Sequence, residues 1–175
     1  MKTALIITTI NRINRNILRF SNYCKKNKWD LIIIGDKKSP KNYKLKYGQF
    51  FSLKEQKKLN FNYSKICSEN SYTRKNIGYL IALKKMNDVL IETDDDNFPT
   101  NKFFKKRKKI FFVREILNKE WVNIYDIFLK DKANIWPRGL PLEKIKSNKI
   151  MMSKKKIKGN FLLQQGLADN NPDVD

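Results

Sequence analysis

The chain has 175 residues, of which 41% are hydrophobic, and this length and composition suit one domain with a real core. The absence of His excludes imidazole acid–base catalysis and His-ligated zinc, and two Cys are too few for a zinc cluster. The net charge of +21 raises nucleic acid or anionic lipid as a partner, but AT-rich codons encode Lys, Asn, Ile, Phe and Tyr, and this bias explains part of the excess.

The first elements predict a strand–helix–strand unit. Thr3–Ile10 is short, apolar and β-branched, which is typical of a buried strand. Asn11 is the predicted N-cap of a helix from Arg12 to Asn27. The apolar positions of that helix recur at spacings of four, three and four, at Ile13, Ile17, Phe20 and Cys24. Asp30–Gly35 is the second buried strand, so the unit predicts parallel strands with a right-handed crossover.

The next segment predicts a second helix and a third strand. After the polar loop Lys37–Tyr47, the residues Ser52–Glu55 have the spacing of a capping box and predict a short helix. Tyr72–Met86 is a predicted helix, and Asp88–Thr93 is a predicted buried strand that ends in three aspartates. The buried side of the Tyr72–Met86 helix is predicted to hold Ile77, Leu80, Ile81 and the stem of Lys84.

Beyond Thr100 the pattern is less regular. Ile110–Val113 is a predicted strand, Ile135–Pro141 an irregular loop, and Ala168–Asp175 an acidic tail. The basic run within Lys102–Lys109 is best explained as a solvated face, with anionic lipid or a polyanionic acceptor as the alternative. No repeat or Gly/Ser linker interrupts the chain, so we predict a single α/β domain over residues 1–175.

Three adjacent carboxylates, Asp94, Asp95 and Asp96, carry the clearest chemical signal. They follow a predicted strand, and ligands of open α/β sheets bind outside the carboxyl ends of the strands. Alternate residues of an extended strand point the same way, so Asp94 and Asp96 can face one Mg²⁺ or Mn²⁺ ion while Asp95 points elsewhere. The structural alternative is a solvated acidic turn.

Other residues converge on the same sheet edge if the three strands share one parallel sheet. These are the strand ends Thr8–Asn11 and Gly35–Asp36. Asp36 fits a contact to a base or ribose, or else a turn aspartate. Arg74, four residues before Gly78 at a helix start, fits a diphosphate or nucleotide contact, or else a surface Arg beside a packing Gly.

Six segments, taken together and in order, resemble the STELLO-type glycosyltransferases. They are ITTIN (Ile7–Asn11), IIIGDKKSP (Ile32–Pro40), RKNIGYLIAL (Arg74–Leu83), ETDDDNFP (Glu92–Pro99), NIWPRGLPLE (Asn134–Glu143) and QQGLADNNPDVD (Gln164–Asp175). The resemblance implies a GT-A-like, Rossmann-type three-layer sandwich with a mostly parallel sheet. It also implies a DxD motif that binds a divalent metal and the diphosphate of a nucleotide-sugar donor.

The resemblance carries over to this chain position by position. It implies that Asp94 and Asp96 hold Mn²⁺ or Mg²⁺, with Asp95 a substitute. It places Trp136, Arg138 and Gly139 in a loop near the acceptor or the donor sugar. The donor-site residues that it implies are Thr8, Asn11, Asp36, Arg74 and Asn76, with Asp95.

The late acidic residues are candidates for a catalytic base. In enzymes of this fold that invert the anomeric centre, a later carboxylate deprotonates the acceptor hydroxyl, and the candidates are Asp169, Asp173 and Asp175, or else a frayed acidic tail. The resemblance further implies that residues 1–100 form the nucleotide-sugar and metal part and residues 101–175 begin the acceptor part. Relatives continue beyond PDVD, so we expect this chain to be truncated at the C-terminus.

The sequence therefore predicts a metal-dependent glycosyltransferase with a nucleotide-diphosphate sugar donor, a glycan or other hydroxyl acceptor and no nucleic-acid partner. No apolar run reaches the roughly 20 residues that cross a bilayer, and no signal peptide is evident, so we expect a cytoplasmic protein, at most peripheral to the inner face of a membrane. The alternatives to this function are an inactive binding or assembly module, a nucleic-acid binder and a nucleotidyltransferase. A nucleotidyltransferase usually has a Gly-rich phosphate loop after the first strand, and Thr8–Arg12 contains no Gly. The donor sugar, the acceptor and the stereochemistry stay open.

Overall fold

The computed structural model describes residues 1–128, 135–145 and 149–167. The chain divides into two compact units, Met1–Lys105 and Lys106–Asp175, and each is described by itself. Asp169, Asp173 and Asp175, the candidate catalytic bases, lie outside the described residues, as does Asn134 of the NIWPRGLPLE segment.

A parallel four-stranded sheet organises the first unit, in the order β3-β2-β1-β4. Its strands are β1 (Thr3–Thr9), β2 (Asp30–Gly35), β3 (Gln49–Phe51) and β4 (Val89–Asp94). Its helices are α1 (Arg15–Asn27), α2 (Leu53–Lys58), α3 (Asn62–Ile66) and α4 (Lys75–Lys84), the last preceded by a 3₁₀ turn at Tyr72–Arg74. The predicted α/β class with its parallel, Rossmann-like sheet is confirmed.

The second unit contains less regular secondary structure than the first. Two strands, β5 (Ile110–Val113) and β6 (Ile157–Asn160), pair in antiparallel fashion, so the predicted strand at Ile110–Val113 is confirmed. Between them lie α5 (Tyr125–Phe128) and a 3₁₀ turn at Leu142–Lys144. None of the described helices in either unit is both long and apolar enough to cross a membrane.

The alternation of β1 and β2 builds two cores, one on each face of the sheet. On one face, Leu5, Ile7, Leu31 and Ile33 pack with Ile17, Phe20, Cys24 and Phe104. On the other face, Ala4, Ile6, Ile32 and Ile34 pack with Ile77, Ile81 and Ala82 of α4. The central residues of both strands, Ala4–Ile7 and Leu31–Ile34, are all apolar and buried because both faces of the sheet are covered, as parallel sheets require. Burial, with a smaller effect from the charge of Asp30, raises the pKa of the Cys24 thiol to about 12.

The predicted start of α1 is wrong. The helix begins at Arg15, and its N-cap is Asn14, whose Oδ1 accepts a hydrogen bond of 2.9 Å from the amide of Ile17. Asn11 instead turns its side-chain amide to Asp95 at 3.0 Å. Ile13 therefore precedes the helix, although it still packs against the core on that side of the sheet. By contrast, the capping box at Ser52 and Glu55 is confirmed, with both reciprocal hydrogen bonds present.

The later elements also differ from the predictions in detail. On α4, Leu80 is only half-buried and Lys84 is exposed, and Gly78 and Ala82 complete the buried side. The predicted buried strand β4 is half-buried, because it lies at the edge of the described sheet and exposes Leu90 and Glu92. The elements β3 and α3 were not predicted; their three and five residues are too short to set a periodic pattern.

Gly78 lets α4 approach the sheet closely. A Cβ built there would lie 2.5 Å from Ile6 Cγ2 and 3.1 Å from Ile34 Cγ1. Because both neighbours are fully packed in the core, the methyl group could not be accommodated without moving the helix. Gly78 therefore serves the packing of α4 against the sheet.

We expect Gly78→Ala to destabilise the protein by about 1–3 kcal/mol through overpacking, although alanine normally favours a helix by roughly 1 kcal/mol. Chemical denaturation measures the free energy of unfolding. Gly166→Ala is the control, because a Cβ at Gly166 meets nothing within 4 Å. A Gly78→Ala protein as stable as the wild type would show that α4 does not pack this tightly.

Candidate active site at the carboxyl edge of the sheet

The carboxyl ends of β1, β2 and β4 meet at one edge of the sheet. The strand register aligns Thr8 with Asp94 on one side and Thr9 with Gly35 on the other. The three strand ends singled out in the sequence are therefore neighbours in space. Thr8 is half-buried there, between Asp94 of β4 and Ile34 of β2.

Asp95 points inward and fastens the loop after β4 to the loop after β1. Its carboxylate Oδ2 accepts hydrogen bonds from the Thr9 hydroxyl and from Asn11 Nδ2, the latter at 3.0 Å. Its backbone carbonyl accepts hydrogen bonds from Asn14 Nδ2 at 2.9 Å and from Asn16 Nδ2 at 3.3 Å. Asp95 is 8% exposed, so its charge is stabilised by neutral donors in place of water.

Tyr43 lies beside this network. Its Oη is buried and has no hydrogen-bond partner in the part of the chain that the structure describes. Burial and then the nearby charge of Asp95 raise the pKa of Tyr43 to about 12, and the Thr9 hydroxyl opposes this rise. The phenol therefore stays neutral at every physiological pH.

Asp94 is paired with a lysine. Lys75 Nζ lies 2.8 Å from Asp94 Oδ1 and 4.0 Å from Glu92 Oε2. The Lys75 side chain is 16% exposed, whereas that of Asp94 is 46% exposed. The lysine of this pair is thus largely shielded from solvent, whereas the carboxylate is accessible to solvent.

Asp96 is exposed, and no hydrogen bond to its carboxylate occurs among the described residues. Its backbone carbonyl accepts a hydrogen bond of 3.1 Å from Asn16 Nδ2, which fixes the loop but leaves the side chain free to bind a ligand. Asp94 and Asp96 therefore present oxygens to solvent while Asp95 is turned away. Because β4 ends at Asp94 and the next two aspartates lie in the bend after it, this division arises in the loop and not from the alternation of an extended strand.

The carboxylates of Asp94 and Asp96 provide only part of the oxygen ligands that a hard divalent cation needs. Across residues 1–128, 135–145 and 149–167, no group of three or more His, Cys, Asp and Glu side chains is arranged to hold a metal ion. Mg²⁺ is usually held by one or two carboxylates together with substrate phosphates and water. The oxygen ligands of Asp94 and Asp96 fit a metal of that kind, bound together with a phosphorylated ligand.

The carboxylate of Asp36 accepts hydrogen bonds from three backbone amides. Its Oδ1 accepts hydrogen bonds from the amides of Lys37 at 2.7 Å and Asn70 at 2.9 Å, and its Oδ2 accepts one from the amide of Ser71 at 3.1 Å. Asp36 thereby anchors the loop that precedes α4 to the end of β2. These three donors occupy most of the carboxylate's capacity to accept hydrogen bonds.

Arg74 is buried, with 1% of its surface exposed. Its Nε and Nη2 donate to Oε1 of the buried Gln56, and its Nη1 donates to the carbonyls of Cys67 and Ser68, both at 3.1 Å. Gln56 Nε2 in turn donates to the carbonyl of Gly35 at 2.8 Å. The guanidinium therefore fills the interior of a loop, and the surface position considered for it in the sequence is wrong.

The remaining predicted residues fall in separate places. Asn76 is exposed, and its Nδ2 donates to the hydroxyl of Tyr63 at 3.2 Å. Trp136 is half-buried, while Arg138 and Gly139 form an exposed turn in the second unit. Gly139 has a φ of 87°, a left-handed conformation that favours glycine.

Sequence reasoning missed three residues that shape this edge. The sequence favours Arg74 over its neighbour Lys75, but a shift of one residue on a helix turns a side chain by about 100°. It also favours Asn11 as the N-cap and so does not single out Asn14 and Asn16. The cluster of asparagines after β1 was the available signal, because amides suit the carbonyls of a tight loop.

We expect Asp95→Ala to lower the stability by about 2–4 kcal/mol, because it removes a buried acceptor and leaves Thr9 and Asn11 without their partner. Asp96→Ala, the matched control, should change it by less than about 0.5 kcal/mol, since that side chain is exposed. Thermal and urea unfolding measure both. Equal losses in the two variants would contradict the inward position of Asp95.

For Arg74→Lys we expect a loss of about 2–4 kcal/mol, because one ammonium cannot satisfy Gln56 and two carbonyls at once. Lys65→Arg, an exposed change on α3, is the control and should be neutral. Unfolding by urea gives the comparison. If Arg74→Lys is as stable as the wild type, the buried network is not what holds the loop.

Two proteins of Arabidopsis thaliana are similar to this chain over most of its length. "Probable glycosyltransferase STELLO2" is 30% identical over 161 residues, which is 84% of this chain and 21% of that protein. "Probable glycosyltransferase STELLO1" is 29% identical over 161 residues, again 84% of this chain and 21% of the relative. No protein-family model matches the chain.

The chain thus spans about a fifth of the length of the curated relatives that it matches. The resemblance deduced from its motifs is confirmed, because both relatives carry the name of the family that those motifs suggested. The α/β architecture with a parallel sheet is consistent with a Rossmann-like GT-A fold. By sequence, this chain is similar to the STELLO-type glycosyltransferases over most of its own length.

Proposed function

We propose that the first unit binds a nucleoside-diphosphate sugar together with Mg²⁺ or Mn²⁺, and that the protein transfers the sugar to a hydroxyl acceptor. One observation carries this proposal: Asp94 and Asp96 are open to solvent at the carboxyl edge of a parallel sheet, while Asp95 is bound inward. The similarity to two proteins named as probable glycosyltransferases supports the reaction class.

Asp94 and Asp96 would hold the metal, and the neutral donors around Asp95 keep the loop that carries them in place. A bound divalent ion supplies Lewis-acid stabilisation of the leaving diphosphate. Lys75 already lies 2.8 Å from Asp94, so its ammonium is positioned at the point where a phosphate and its metal would meet the protein. We assign Lys75 a phosphate-binding role in place of Arg74, because the Arg74 guanidinium already donates hydrogen bonds to Gln56 and to the carbonyl of Cys67.

Calorimetric titration of UDP- and GDP-sugars, with and without Mn²⁺, tests this proposal. We expect wild-type binding that depends on Mn²⁺, and a loss of at least about tenfold in affinity for Asp94→Ala and Asp96→Ala, because each removes one metal ligand. Lys75→Ala should weaken nucleotide binding yet keep its metal dependence, because it removes a phosphate contact and no metal ligand.

Glu92→Ala is the matched control, because it removes a carboxylate of the same strand that is 55% exposed and 4.0 Å from Lys75. It should bind nucleotide nearly as well as the wild type. The proposal fails if the wild type binds no nucleotide in the presence of Mn²⁺, or if Glu92→Ala loses as much affinity as Asp94→Ala. Metal-dependent binding with neither transfer nor hydrolysis would instead support an inactive binding module.

A further inference from the structure

A basic groove lies beside α1, away from the aspartates. It has a volume of about 490 Å³, within the range of small-molecule sites, and all its lining residues belong to the first unit. Three cations and two amides line it together with two aromatic rings: Arg19, Lys26, Lys105, Asn22, Asn101, Tyr23 and Phe104. Nothing in the proposed donor site uses these residues.

The charge of the groove is of one sign. On α1, the residues Arg19, Asn22 and Lys26 recur at spacings of three and four, so they form one stripe along the helix. Neither α1 nor the opposite wall, residues 97–105, contains an Asp or Glu. Within the described residues, Arg19 and Lys26 form no ion pair with an acidic group. An anionic ligand would therefore meet two cations, Arg19 and Lys26, that no acidic side chain of the described residues neutralises.

The walls of the groove are held in place before any ligand binds. The Arg19 guanidinium donates to Asn101 Oδ1 at 3.1 Å and lies 4.8 Å from the centre of the Phe98 ring. The rings of Tyr23 and Phe104 stack with centroids 3.8 Å apart, and the Tyr23 hydroxyl donates to the Phe104 carbonyl at 2.7 Å. This order lowers the entropic cost of binding.

Helix α1 connects the candidate active site to the groove. Asn16, near the start of α1, donates to the carbonyls of Asp95 and Asp96, and the chain after those aspartates descends along the helix to Asn101 and Phe104. Arg19 lies about 5 Å along the helix axis from Asn16, and Lys26 about 15 Å, at 1.5 Å per residue. A chain of two or three sugar rings is long enough to cover that distance.

We propose that this groove binds an acidic saccharide, with its carboxylate or phosphate groups on Arg19 and Lys26 and its hydroxyls on Asn22 and Asn101. This inference rests on the proposed function, under which the saccharide in the groove is the acceptor of the transferred sugar. The acceptor is therefore an anionic glycan. Amide side chains both donate and accept, which matches hydroxyl groups, and guanidinium groups bind carboxylates in bidentate fashion.

The geometry favours a saccharide over the other polyanions. A nucleic-acid base needs an open aromatic face, but the rings of Tyr23 and Phe104 cover one another, and Phe104 is 7% exposed. A membrane surface is flat and would contact freely protruding cations, whereas the Arg19 guanidinium is fixed by its contacts with Asn101 and the Phe98 ring. Duplex DNA and anionic vesicles therefore serve as the competing ligands in the test.

The test measures binding of trigalacturonate and of the neutral trisaccharide galactotriose to the full chain by calorimetry at constant salt. We expect trigalacturonate to bind at least about tenfold more tightly than galactotriose, and Arg19→Ala/Lys26→Ala to lose at least about tenfold in affinity for it. Lys44→Ala/Lys46→Ala is the matched control, because it removes the same charge from exposed loop positions. It should stay within about twofold of the wild type.

Lys26→Glu is a second variant at an exposed position, so the test does not depend on Arg19, whose contacts to Asn101 and Phe98 also support the fold. It too should lose trigalacturonate binding. The proposal is overturned if no trigalacturonate binds, if the groove and control variants lose affinity equally, or if Arg19 and Lys26 matter only for DNA or for phosphatidylserine vesicles.

Mn²⁺-dependent nucleotide binding, measured on the same variants, separates this inference from the proposed function. We expect the groove variants to keep it, because their changes lie outside the aspartate loop. If the wild type binds trigalacturonate through the groove but no nucleotide, the transferase proposal fails and the saccharide site stands. If nucleotide binds but trigalacturonate does not, the groove proposal alone fails.

Discussion

The buried carboxylate of Asp95 is the interaction on which the carboxyl edge of the sheet depends. It joins the end of β4 to the end of β1 through Thr9 and Asn11, and its carbonyl holds Asn14, which caps α1. A buried charge is tolerated only when it is hydrogen-bonded. With Asp95 fixed inward, the Asp94 side chain remains 46% exposed and Asp96 is exposed.

In the loop before α4, charged side chains also form hydrogen bonds with backbone groups. Asp36 receives the amides of Asn70 and Ser71, while Arg74 donates to the carbonyls of Cys67 and Ser68. An irregular loop packed against a sheet exposes backbone groups that no helix or strand partner satisfies, and unpaired groups of this kind are costly. Two charged side chains that the sequence suggested for ligand binding are thus also what shapes the loop.

The sequence predicted what depends on local pattern and missed what depends on distant partners. The strands β1 and β2, their parallel pairing and the Ser52 capping box follow from apolar runs and spacing, and all are confirmed. The choice of Asn14 over Asn11 as the cap, and of Lys75 over Arg74 at Asp94, depends on Asp95 and Gln56, which lie far away in the chain. No periodicity encodes such partners, because each is selected by the folded geometry.

The electrostatics of the three aspartates explain why a metal would bind here together with a substrate. Asp95 is stabilised by neutral donors, Asp94 by the ammonium of Lys75, and Asp96 by water. Their mutual repulsion is therefore already relieved, and a metal alone would have to compete with Lys75 for Asp94. Under the proposed function, a metal bound together with a diphosphate would avoid this competition, because the phosphate would offer Lys75 an anionic partner in place of Asp94. Under the proposed function, Lys75 thus couples metal binding to donor binding.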